Sequence, residues 1–317
     1  LTTADLAGYR AIERAAVCAP YRGYSICGMG PPSSGGTTVA QTLALLDGLD
    51  VGSEPLDRTG VGRIAEAEKL AYADRDRYLA DPDFVAVPSG LLDAAYIAER
   101  RKLIDADKPK PSVEAGTPPT KSGALFGADN TRERHGTSHV SIVDAEGNAV
   151  SFTTSIEGVF GAHRMVQGFF LNNQLTDFAF APTAAGKPVA NRVQPGKRPR
   201  SSMAPTLVLD AKGELKAVLG SPGGPWIINY VAKTLVGILD WGLDLDAAIA
   251  LPHFGSRNGP TELEAGRFDG VGKDALKARG HAVTEGEMTS GLAGIVRTPV
   301  GWTGAADPRR EGSAVGR

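Results

Sequence analysis

The chain predicts an α+β fold in which sheets are covered by helices, and three features lead there. "SHVSIVD" and "NAVSFTTS" read as one strand pair around the turn "AEGN", and "PTLVLD" and "LKAVLG" as a second around "AKGE". Helical patterns precede and follow these pairs, and the segment "SPGGPWIINYVAKTLVGILDWG" runs from a glycine turn into a helix apolar enough to be buried. With 317 residues the chain can bury a substantial core.

The elements follow in order. Cys18 and Cys27 flank "APYRGYSI", a plausible hairpin turn. A cross-strand disulfide and a pair of buried free thiols both fit that spacing. "PPSSGGTTVAQTLALLDGL" (Pro31 to Leu49) is a loop leading into a helix. It lacks the Lys of a phosphate-binding P-loop, so no nucleotide site is expected there. "VGRIAEAEKLAYADRDRYL" (Val61 to Leu79) consists of helix formers and is stopped by Pro82. Asp105 to Arg134 is polar and rich in Pro and Gly, an expected exposed, flexible connector and the best boundary in the chain. The strand pairs, the apolar helix and a short helix in "LDLDAAIALP" come after it.

Composition excludes several classes. Basic and acidic residues number 34 and 36, so no dense basic field exists to neutralise a nucleic acid. No apolar run approaches the ~18 residues of a membrane span. The opening "LTTADLAGYR" has neither an initiator Met nor a secretory signal and suggests a mature product or a fragment. Among the five histidines, His135 and His139 bracket Thr137 at a spacing that would bind metal on a helix. The surrounding sequence reads as strand, so neither a metal nor a cofactor is expected.

The chemistry centres on "HGTSH". If the Gly136–Thr137 bond is cut, Thr137 gains a free α-amine beside its own hydroxyl. Such an amine has a pKa of roughly 7.7–8.0 and can take the hydroxyl proton near neutral pH. Gly136 suits the cut because its carbonyl is unshielded and its backbone can adopt a strained conformation.

By itself a Gly-Thr pair means little. "FFLNNQLTDF", "GKRPRSSMAPT" and "GSPGG" follow it in that order, and together with "TSHVSIVDAEGNAVS" they resemble the small subunit of the gamma-glutamyltransferases (gamma-glutamyltranspeptidases), which are N-terminal nucleophile hydrolases. "YRGYSICGMGPPSSGG" and "AEAEKLAYADRDRYLADPDF" look like the C-terminal part of that family's large subunit. The resemblance covers essentially the whole chain. It implies a four-layer αββα sandwich forming one structural domain, with residues 1–136 from the large subunit and 137–317 as the catalytic small subunit. The family's large subunit begins well upstream of Leu1, so the chain is expected to lack the N-terminal portion and the carboxylate-gripping Arg within it.

The resemblance implies roles residue by residue. Thr137 would be the nucleophile in autocleavage at Gly136 and in turnover of glutathione or a similar γ-glutamyl amide, through a γ-glutamyl ester passed to water or an amino acid. Gly223 and Gly224 would form the oxyanion hole, Ser201 and Ser202 would hold the α-carboxylate, and Asp177 and Gln174 would bind the α-ammonium. Ser155 stands where many members have a second Thr, and Glu157 where many have Asn. Asn172 and Asn173 would order the loop. The segment from Asp177 to Pro199 is shorter than the usual lid and lacks its Tyr, as in the lidless members. The family points to a periplasmic or secreted enzyme whose two subunits associate. Two other readings are a glutaryl or cephalosporin acylase on the same scaffold, and a catalytically silent fragment acting as a binding or assembly module.

Overall fold

A computed structural model describes residues 2–119, 126–131 and 136–316. A six-stranded sheet organises it. Strands β1 (Val17–Tyr21) and β2 (Tyr24–Gly28) form a hairpin joined through β5 (Thr206–Leu209) and β6 (Leu215–Gly220) to β10 (Ala293–Thr298) and β11 (Gly301–Ala306), all antiparallel. The hairpin of β3 (Thr137–Val143) and β4 (Ala149–Ser155) is a separate two-stranded sheet, which packs against β6 and β10. Three further short strands, β7 (Phe254–Gly255), β8 (Thr261–Glu264) and β9 (Val283–Gly286), make a small sheet of their own.

Helices α2 (Gly35–Leu46), α3 (Arg58–Tyr78) and α5 (Ile227–Leu239) supply much of the core, with α1 (Thr3–Gly8), α4 (Ala94–Arg101), α6 (Leu245–Ala250) and α7 (Gly270–Ala278) around them. Asp57 caps α3 by accepting from the Thr59 and Gly60 amides. The α5 pattern places Ile227, Ile228, Val231, Leu235 and Val236 at 1 % exposure or less. Each such side chain contributes roughly 1.5–3 kcal/mol by leaving water. The α+β class expected from the sequence is the one observed, and the apolar helix and both strand pairs stand where the patterns place them.

The β3–β4 hairpin packs with its polar face inward. His139, Ser141, Ser151 and Thr153 point toward the six-stranded sheet, where Ser141 Oγ donates to the Ala293 carbonyl and Ser151 Oγ to that of Leu219. Val140, Ile142, Val150 and Phe152 lie on the opposite face and are exposed. Among the described residues the layers are thus helix, sheet and sheet, and no helix covers that outer face.

Two expectations change. Cys18 and Cys27 sit opposite each other in the β1–β2 register and form a disulfide, with Cα atoms 4.1 Å apart. The segment from Asp105 is less free than its composition suggests. Lys69 Nζ donates to the Lys110 carbonyl, the Gly116 amide donates to Asp74, Tyr78 Oη donates to the Gly116 carbonyl, and the Gly90 amide donates to that of Pro119. Polar side chains of α3 strap residues 110–119 onto the core, which composition cannot reveal. Residues 120–125 and 132–135, including His135, lie outside the described residues.

Candidate active site

Thr137 is the first residue of β3, and its strand position turns its side chain inward, leaving it 8 % exposed. Its partner across the hairpin is Ser155, the last residue of β4. The Thr137 hydroxyl donates to Ser155 Oγ at 3.0 Å, and Ser155 Oγ donates to the Gly136 carbonyl at 3.3 Å. The Ile156 amide also donates to that carbonyl, at 3.3 Å. One peptide carbonyl therefore has two donors on its oxygen and a hydroxyl from the next residue beside it.

Gly136 is held by close approach. An added Cβ would lie 2.3 Å from the Gly158 carbonyl oxygen and 2.6 Å from that of Glu157, closer than such atoms come. The Gly136 amide donates to that Glu157 carbonyl at 2.7 Å. Gly136 itself does not have a positive φ. Glu157 does, at φ 73°. A non-glycine residue there costs about 1–2 kcal/mol and is a common mark of a functional site. Asn173 Nδ2 donates to Glu157 Oε2 and Asn173 Oδ1 accepts from the Gly158 amide, which fixes this turn. Glu157 Oε1 is buried without a partner.

Thr137, Ser155, Glu157, Gln174, Asp177, Ser201, Ser202 and Gly224 line one cleft, with Met203 and Ile227. Gln174 and Asp177 share a 3₁₀ turn, where Gln174 Nε2 donates to Asp177 Oδ2 at 2.9 Å. Ser201 and Ser202 are backed by the Pro31–Gly36 loop: the Ser34 amide and hydroxyl both donate to the Ser201 carbonyl at 2.7 Å. That loop thus supports the serine pair from behind, where the resemblance implies a wall near the site. The cleft encloses only about 20 Å³, room for about one water.

Gly223 and Gly224 precede α5 with φ of 139° and 57°, conformations that favour glycine. Gly224 lines the cleft and Gly223 adjoins it, where a Cβ would be 2.5 Å from the Tyr230 ring. Among the described residues neither amide N–H finds an acceptor, although both glycines are buried. Buried unpaired N–H groups are rare, and two in succession at a helix start are suited to an anion.

His139 faces the sheet, its Nδ1 2.8 Å from Thr153 Oγ1 and its Nε2 3.1 Å from Ser141 Oγ. Burial pushes its pKa down to about 4, so it is neutral at pH 7. Among the described residues no cluster of three or more His, Cys, Asp or Glu could hold a metal. Sequence reasoning missed Met203 and Ile227, whose apolar side chains carry no chemical signal. It also missed the buried Arg75, whose Nη2 donates to Ser202 Oγ at 2.5 Å.

A hydroxyl residue at the head of an inner strand, set against a second sheet, is the organising feature of the N-terminal nucleophile hydrolases, and the fold is of that class. Within it, the chain belongs to the gamma-glutamyltranspeptidase family, whose model matches residues 1–317. It is 39 % identical to the glutathione hydrolase proenzyme of Escherichia coli, over 98 % of this chain and 53 % of that protein. It is 38 % identical to the acylase ACY 1 proenzyme of a Pseudomonas species, with the same two coverages of 98 % and 53 %. Among solved structures, the cephalosporin acylase of Bacillus halodurans superposes with a TM-score of 0.83 at 26 % identity, covering 99 % of this chain and 55 % of that one. The chain thus spans about half the length of the curated relatives it matches.

Proposed function

We propose that the protein is a self-cleaving threonine-nucleophile amidase and acyltransferase acting on γ-glutamyl amides such as glutathione. The observation that carries this reading is the link from the Thr137 hydroxyl through Ser155 to the Gly136 carbonyl, at 3.0 and 3.3 Å.

In maturation, Thr137 Oγ1 attacks the Gly136 carbonyl carbon. The Ser155 hydroxyl and the Ile156 amide stabilise the developing oxyanion. The C–N bond breaks, the Thr137 nitrogen takes up a proton, and water hydrolyses the resulting Gly136 ester. The freed α-amine then serves as the base for the Thr137 hydroxyl in turnover.

In turnover, Thr137 attacks the γ-amide carbonyl and the Gly223 and Gly224 amides receive the oxyanion, where losing one donor costs about 10²–10³ in rate. Asp177, Glu157 and Gln174 meet the substrate ammonium, and the Ser201–Ser202 segment meets its carboxylate. The ester passes to water or an amine. The two carboxylates favour a γ-glutamyl over a glutaryl donor, because a glutaryl group carries no ammonium for them to bind. Maturation would separate the segment that ends at Gly136 from the one that begins at Thr137. The Cys18–Cys27 disulfide supports an oxidising compartment, periplasmic or secreted.

Thr137→Ala tests the core of this reading. Wild type is expected to give two bands on a denaturing gel and the variant one. A variant that still yields the same two bands would exclude Thr137 as the cleaving residue. Faster hydrolysis of a glutaryl than of a γ-glutamyl anilide by the wild type would replace the substrate assignment with the acylase one.

A further inference from the structure

The two cleft serines are not equivalent. The Ser33 hydroxyl donates to the Met203 carbonyl at 2.5 Å, so its oxygen is left to accept, and it accepts from Ser201 Oγ at 3.0 Å. The one proton of Ser201 is thereby committed away from the cleft. Ser202 is arranged the other way round. Its oxygen accepts from Arg75 Nη2 at 2.5 Å, and no described residue accepts its proton. A hydroxyl has one proton to donate, so a cation holding its oxygen from behind turns that proton away, toward the open side. Ser202 is 3 % exposed and lines the cleft, so the open side is the cleft.

We propose that Arg75 is a positioning residue that makes Ser202 the anion-donating serine of the cleft, and that it thereby selects substrates bearing a carboxylate next to the amine. Arg75 is suited to this. It is 4 % exposed on α3, its Nε donates to Ser34 Oγ at 2.8 Å, and Ser34 in turn donates to the Ser201 carbonyl. Its Nη1 donates to Asp76 at 2.8 Å, and its carbonyl accepts from Arg200 Nη1 at 3.2 Å. The fork is thus fixed at several points while one arm reaches the cleft wall. Lysine carries its donors on one nitrogen and lacks the rigid planar fork that here spans Ser34 and Ser202 from separate nitrogens.

The inference rests on the γ-glutamyl reading above, and the test separates the two. The readout is the ratio of kcat/KM for γ-glutamyl nitroanilide to that for γ-aminobutanoyl nitroanilide, the same molecule without its carboxylate. A general loss of structure lowers both rates and leaves the ratio in place. Arg75→Gln is expected to lower the ratio about tenfold or more, the scale of one hydrogen bond to a charged group. Ser202→Ala is expected to lower it similarly, and Ser201→Ala less. If Arg75→Gln does not fold, the serine variants carry the test, since each removes only a hydroxyl. A ratio within about twofold of wild type in folded Arg75→Gln, or a larger loss in Ser201→Ala than in Ser202→Ala, overturns the assignment. A wild-type protein that cleaves itself but not the γ-glutamyl anilide overturns the substrate reading and this inference with it.

Discussion

At position 136 a single methyl group decides whether the Gly136 carbonyl, the proposed cleavage point, can stay where it is. It would lie 2.3 Å from the Gly158 oxygen, which belongs to backbone and cannot swing aside as a side chain would. Gly136→Ala should therefore displace the carbonyl from the Ser155 hydroxyl and the Ile156 amide without touching Thr137, the proposed nucleophile. A displacement of about 1 Å can cost about 10² in rate, so self-cleavage is expected to slow by about that factor on a gel time course. A wild-type rate in this variant would mean that the geometry around Gly136 O is not what drives the cut. The sequence suggests a glycine here for its open carbonyl and its conformational freedom. The structure adds a further reason: the turn at Glu157 and Gly158 folds back on it, and no local pattern announces a contact across twenty-odd residues. The same turn accounts for Glu157, which bears the positive φ that Gly136 does not.

Helix α3 shows best where sequence reading stops. "AEAEKLAYADRDRY" has the charge of a solvated helix, yet Glu66, Glu68, Lys69, Asp74 and Arg75 are all buried. Its boundaries were legible from composition and the terminating Pro82. Its partners were not, because they come from segments far along the chain. Tyr72 Oη lies within hydrogen-bond distance of the Pro225 carbonyl and of Asn229 Oδ1, Arg75 reaches Ser34 and Ser202, and Glu68 Oε2 accepts from the Ser256 amide at 2.8 Å. The helix thus braces both the glycine turn before α5 and the serine pair. Glu68 is wholly buried, and burial pushes its pKa up to about 8 from an ordinary 4.5, against the lowering effect of the Ser256 amide bond and the nearby Asn229 side chain. The folded protein then keeps a proton that the unfolded chain releases. Stability is lost as pH rises from about 4.5 to about 8, and it levels off above that. Glu68→Gln has no proton to lose, so its Tm should fall less than that of wild type between about pH 5 and about pH 8, by up to about 1 kcal/mol per pH unit in stability. Parallel Tm curves for the two proteins would show that Glu68 ionises normally.

The six-stranded sheet joins the two halves of the chain at its middle. Strand β2 pairs with β5 through Ser25–Leu209, Ile26–Val208, Cys27–Leu207 and Gly28–Thr206, so residues before the proposed cut are laddered to residues after it. The hydrophobic core crosses the same line. Ile26, Leu43, Ile64 and Leu70 share one cluster with Val208, Leu219, Ile228 and Leu235. Neither residues 1–136 nor residues 137–317 would hold a closed core alone, which is why the composition break around residues 105–134 does not mark the edge of an independently folded unit. Scission at Gly136 should free the Thr137 amine and relax the chain leading to it while leaving the sheet whole. After complete self-cleavage, the two pieces are expected to run as two bands on a denaturing gel, to elute as one species in native size-exclusion chromatography, and to separate only in concentrated guanidinium. Elution as two species under native conditions would mean that the β2–β5 ladder does not survive the cut. A hydroxyl held in place by that ladder's neighbours could not then serve as a nucleophile positioned by the fold.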